Sequence, residues 1–111
     1  RAIPQKKAMG MILTGRHVPA AEGLEIGFVT ELVAEGEALN AAKLFAAEIE
    51  KCSPVSIRTS LDVVRRGLEH ASVEEAMLAD YESVTVLRNS EDMIEGPKAF
   101  AEKRDPNWKG R

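Results

Sequence analysis

The sequence is poor in cysteine, aromatic residues, paired histidines and long apolar runs, and each shortage removes a class of function. Cys52 is the only thiol, so no internal disulfide, CxxC redox pair or cysteine-rich zinc site can be assembled. A reducing, cytoplasmic setting suits such a chain. No apolar stretch reaches the roughly 20 residues that a membrane-spanning helix needs. The N-terminus lacks the order of charged, apolar and small residues that marks a signal peptide, so no membrane partner is expected. His17 and His70 stand alone, without the i, i+4 companion that would set two ligands on one helical face, and no metal site is expected. The eight glycines are dispersed and form neither a P-loop nor a GxGxxG turn, which excludes the nucleotide-binding folds built on those loops. Cationic excess is missing too. Fifteen Lys and Arg stand against eighteen Asp and Glu, a net charge of −3, so nucleic acid is not the expected partner.

What is present is enough for one folded domain: 111 residues, 44% hydrophobic and 30% charged, within the ordinary size range and too mixed for a disordered tail. The chain opens on Arg1-Ala2-Ile3-Pro4 rather than Met, which reads as a piece of something longer. Pro4 to Leu13, with Gly15 as a stop, predicts a first helix, and Pro19 to Glu25, stopped by Gly27, a short second one. Phe28 to Val33 reads as the one plausible strand, although no second strand is visible to pair with it. From Gly36 to Cys52, residues Ala38, Ala42, Phe45, Ile49 and Cys52 recur at helical spacing and predict a helix with these on its core face. Ser53-Pro54 starts a fourth helix, carrying Ile57, Leu61, Val64 and Leu68 on one stripe, that runs to about Glu69. Ser72 to Glu75 has the order of a capping box, with Val73, Met77, Tyr81 and Val84 behind it, and predicts a fifth helix ending near Asn89. Ser90 caps a sixth that Gly96-Pro97 should break or restart, and Asn107 to Arg111 reads as an extended tail.

Residue chemistry alone offers few sites. Carboxylates cluster at Glu22/Glu25, Glu48/Glu50, Glu74/Glu75 and Glu91/Asp92/Glu95. Acid–base catalysis uses such pairs, but each falls on a polar helix face or in a first turn, where solvation and the helix dipole account for it. Cys52, on an apolar stripe, is expected in the core rather than as a nucleophile. Lys103-Arg104 and Lys109 to Arg111, with Phe100 and Trp108 nearby, make the C-terminus locally basic. Either a small anionic ligand or the C-terminal dipole of a solvated helix fits that pattern.

Two motifs carry a resemblance. Ala8-Met9-Gly10-Met11-Ile12-Leu13-Thr14-Gly15-Arg16, followed by Gly27-Phe28-Val29, resembles the helix, LTG, short helix, GLV order of the enoyl-CoA hydratase/isomerase (crotonase) superfamily. The stretch from Ser90 to Trp108, with Asp92, Glu95-Gly96, Ala99-Phe100, Glu102-Lys103-Arg104, Pro106 and Trp108, is similar to that family's ending, D-x-x-EG-x-x-AF-x-EKR-x-P-x-W/F. Between the two motifs this chain departs from the family, with Pro19, Gly23 and Ile26 where a Ser cap and an Ala-rich helix are usual.

The resemblance implies a mainly α chain, the C-terminal helical, trimerisation-type region of a crotonase-like fold with one short strand at most. Residues 1–33 would end the crotonase core and residues 34–111 would form a helical domain that oligomerises and covers CoA. It further implies a full-length parent that hydrates 2-enoyl-CoA thioesters or isomerises related ones, as a trimer or dimer of trimers, with coenzyme A present only as part of the substrate. The family's oxyanion hole and both catalytic carboxylates precede the segment that begins here. No catalytic role therefore passes to this chain, which alone is expected to be inactive. Phe100 and Lys103 match family positions near bound CoA, as an apolar wall and a point charge for a phosphate. The alternative is a stand-alone helical oligomerisation or partner-binding module without substrate, its apolar helix faces self-associating.

Overall fold

Proline and glycine bracket the first two helices. The computed structural model describes residues 2–111 and divides into two units, residues 1–43 and residues 44–111. In the first unit Pro4 leads into α1 (Gln5–Thr14), and Gly15, in the left-handed region at φ 59°, closes it by donating its N–H to the Met11 carbonyl. Pro19 likewise leads into α2 (Ala20–Ile26), closed by Gly27 at φ 93°. The loop between them is tied by Arg16, whose Nη1 donates to Glu22 at 2.8 Å.

The strand expected over Phe28 to Val33 does not form. The N–H groups of Gly27, Phe28 and Val29 all turn back to the Gly23 carbonyl, at 3.0, 3.0 and 3.1 Å. With those donors committed to a turn, and no neighbouring strand among the described residues, there is no ladder to join. Gly23 is the buried residue of α2. A Cβ there would lie 2.7 Å from Val29 Cγ2 and 2.9 Å from the Phe28 ring, so the absent side chain is what lets the loop fold onto the helix.

In the second unit α4 (Pro54–Gly67) starts at Ser53, whose hydroxyl accepts the Ser56 N–H. Val55, only 2% exposed, is its buried anchor. Thr59 donates to the Ser83 carbonyl at 3.0 Å, and Ser83 donates to Asp62 at 2.6 Å, which fastens α4 to α6 (Glu82–Arg88). Among the described residues all seven elements are helices, as the mainly α reading requires.

Three expectations fail in instructive ways. The helix α3 (Ala38–Glu50) ends before Cys52, which leaves the helical face and is exposed rather than in the core, as are Phe45 and Ile49. The single helix expected from Ser72 to Asn89 is two, α5 (Val73–Leu78) and α6, because Ala79 turns extended at ψ 149°. That break buries Tyr81, whose hydroxyl donates to the Ala76 carbonyl at 2.8 Å while the Arg66 guanidinium stands 5.3 Å from its ring centroid. Burying one aromatic ring with its hydroxyl satisfied outweighs one more turn of helix. Finally, α7 (Glu91–Glu102) runs straight through Gly96-Pro97. Pro97 has no N–H for the Met93 carbonyl, yet the helix holds because the closing segment packs along it. The Trp108 ring lies 3.3 Å from where a Gly96 Cβ would be.

Candidate functional site

The C-terminal end of α7 and the residue that caps it carry the two residues singled out as a ligand site. Ser90 caps α7 by accepting the Met93 N–H at 3.1 Å, as its sequence position predicts. The helix ends at Glu102, and Lys103 follows in the left-handed region, φ 54° and ψ 43°. Phe100 is 87% exposed and lies one turn before Lys103, which is also exposed. The Lys103 N–H donates to the Phe100 carbonyl at 3.2 Å.

Behind this edge two carboxylates of α7 pin the closing segment. Glu95 accepts from Arg104 in a two-pronged pair, 2.6 and 3.1 Å, and from the Asn107 N–H at 2.7 Å. Those bonds and the guanidinium charge hold the Glu95 carboxyl down to about 2 and raise the Arg104 guanidinium above its ordinary value. Asp92 is 3% exposed. It accepts from the Ser53 hydroxyl at 2.7 Å, from the Lys109 N–H at 2.7 Å and from the Gly110 N–H at 3.2 Å. Burial pushes the Asp92 carboxyl up, but these donors, with Arg58 nearby, outweigh it and leave the group below the usual range. The Glu91 N–H donates to the Arg111 carbonyl, Arg58 to the Gly110 carbonyl, and Trp108 Nε1 to the Lys51 carbonyl at 2.8 Å just past α3. The tail is thus extended, as expected, but it is also fastened along its length.

The remaining candidates do structural work or stand apart. Glu22 pairs with Arg16, which lowers its carboxyl, and Glu48 pairs with Lys51. Glu75 reaches back to the Ala71 N–H at 3.1 Å while Ser72 accepts the Glu75 N–H, a capping box shifted by one residue. His17 is exposed, and His70 stands edge-on to Tyr81. Among the described residues no group of three or more His, Cys, Asp or Glu could hold a metal ion, and no helix is long and apolar enough to cross a membrane. A groove of about 740 Å³ opens between α4, α5 and α6, lined by Leu68, Val73, Met77, Leu78, Tyr81 and Val84 among others. Asp92 and Glu95, which their sequence positions assign to solvation and dipole complementarity, are instead the anchors of the closing segment. Nothing in their spacing signals that their donors come from Ser53, from Arg104 and from the backbone of Asn107, Lys109 and Gly110.

Comparison with known proteins agrees with the motifs. The family model described as enoyl-CoA hydratase/isomerase matches residues 1–111. Carnitinyl-CoA dehydratase from Salmonella paratyphi A is 36% identical over 118 residues, covering 100% of this chain and 44% of that protein. A probable enoyl-CoA hydratase/isomerase from Mycobacterium abscessus superposes with a TM-score of 0.87 at 36% identity, over 99% of this chain and 43% of that one. A putative short chain enoyl-CoA hydratase from Novosphingobium aromaticivorans gives 0.90 at 31% identity, over 100% and 43%. The chain spans less than half the length of these relatives, and with two motifs, a helical architecture and a full-length family match in agreement, it belongs to the enoyl-CoA hydratase/isomerase family.

Proposed function

We propose that this chain is the C-terminal portion of an enoyl-CoA hydratase/isomerase-family enzyme, hydrating 2-enoyl-CoA thioesters in the full-length protein. Here it contributes oligomer contacts and part of the CoA site. The observation that carries the reading is the edge formed by Phe100 and Lys103. A large aromatic ring is left 87% exposed one turn from a lysine that makes no ion pair among the described residues. An apolar wall beside a point charge suits a cargo that combines an adenine or pantetheine surface with phosphate.

Exposed apolar residues support the oligomeric part. Ile12 and Leu13 of α1, Leu44 and Phe45 of α3, and Met77 and Leu78 of α5 all stand in solvent, more greasy surface than an isolated monomer normally presents. Protein packed against those faces, from a preceding portion of the chain or from other subunits, would cover them.

Titration calorimetry with CoA tests the site. Binding heat is expected for the chain and diminished heat for Lys103→Ala and for Phe100→Ala; equal heats for all three overturn the assignment. The chain alone is expected to show negligible hydration of a 2-enoyl-CoA. An open reading frame continuing upstream of Arg1 into a Glu-bearing, Gly-rich segment supports the enzyme, whereas a start codon immediately before Arg1 removes it.

A further inference from the structure

Lys103 sits in a backbone conformation that a residue with a Cβ rarely adopts. Two backbone bonds turn the chain there: Lys103 N–H to the Phe100 carbonyl and Arg104 N–H to the Ala99 carbonyl at 3.1 Å. Such closures are common at helix ends, but glycine usually occupies the left-handed position. What distinguishes this turn is the carboxylate behind it. Glu95, two turns back on α7, grips Arg104 with both oxygens and takes the Asn107 N–H on Oε1. Arg104 Nε is held in addition by Glu102 at 2.6 Å. Residues on the far side of Lys103 are therefore tied to the helix that precedes it, and the 103–107 turn cannot swing without opening a bidentate ion pair.

We infer that Glu95 is a positioning residue for Lys103: by clamping Arg104 and Asn107 it fixes the direction in which the lysine leaves α7, one turn from Phe100. The inference rests on the reading of Phe100 and Lys103 as part of a CoA site and adds to it a residue that touches no ligand. In the absence of the clamp, Lys103 samples many directions, and each binding event must first order the turn.

The test is a double-mutant cycle read by calorimetry, with CoA and with pantetheine, which lacks the phosphates, as probes. Lys103→Ala is expected to weaken CoA about threefold to fivefold, the scale of a solvent-exposed ion pair, and to leave pantetheine unchanged. Glu95→Gln is expected to reproduce most of that loss for CoA, to spare pantetheine, and to add nothing in a Lys103→Ala background. Arg104→Gln breaks the same clamp from the other side and should behave alike; circular dichroism selects whichever variant keeps its helices. If Lys103→Ala weakens CoA while Glu95→Gln and Arg104→Gln do not, the positioning role falls and the CoA site stands. If Glu95→Gln still weakens CoA in the Lys103→Ala background, its effect is general and the positioning role falls again. If Lys103→Ala itself changes nothing, the site falls and the inference with it.

Discussion

Replacing Asp92 by alanine is the most searching perturbation of this fold, because one buried carboxylate gathers three donors from two distant parts of the chain. Ser53 precedes α4, and Lys109 and Gly110 belong to the closing segment. Hydrogen bonds to a charged acceptor contribute roughly 1.5 to 3 kcal/mol each, and stranding a buried donor costs about 1 to 3 kcal/mol. These values do not sum, since the closing segment can detach and expose its N–H groups to water, which limits the loss to what docking that segment contributes. We therefore expect Asp92→Ala to destabilise the second unit by about 2 to 4 kcal/mol, with Asp92→Asn losing less because its amide keeps one acceptor oxygen. Denaturant unfolding followed by circular dichroism gives the loss. Hydrogen exchange locates it, through faster exchange at Lys109, Gly110 and the Trp108 indole N–H, which otherwise bonds the Lys51 carbonyl. A loss below about 1 kcal/mol with those three protons still protected would show that the segment is held by packing rather than by the carboxylate.

Acid should act on the same segment with a definite sign. Both Asp92 and Glu95 titrate below their ordinary values in the folded chain. Their contribution is complete above the usual carboxylate range and is lost as pH falls, for Glu95 from about 4.5 toward about 2. Stability followed by denaturant midpoints at descending pH should fall across that window, and a Glu95→Gln chain should fall less steeply; parallel profiles would refute the assignment. Gly23→Ala sets a Cβ 2.7 Å from Val29 Cγ2, where it must displace the loop. A loss of about 1 to 3 kcal/mol is expected, read in thermal melts as a lowered transition, and an unchanged melt would refute the close-packing reading of this glycine.

The sequence by itself determined the helical character and where most helices begin and end. Pro4, Pro19, Ser53, Ser72 and Ser90 stand at five of the six predicted starts, and Gly15 and Gly27 close α1 and α2. These signals are legible because a cap acts within a few residues of itself, so its whole cause lies in a short window of sequence. It also showed the family, through residues whose order needs no geometry to recognise. Tertiary structure alone decided that Tyr81 interrupts a helix, that α7 continues through Pro97, that Cys52 faces solvent, and that Asp92 and Glu95 anchor the closing segment. Each of those outcomes depends on groups far apart in the chain: Ser53 meets Asp92 across 39 positions, and Lys51 meets Trp108 across 57. Periodicity says which face of a helix is apolar, but not what arrives to cover it. Phe100 and Lys103 were legible as a pair, while the clamp behind Lys103 was not, because a carboxylate on a polar helix face looks the same in sequence whether water or a folded-back backbone meets it.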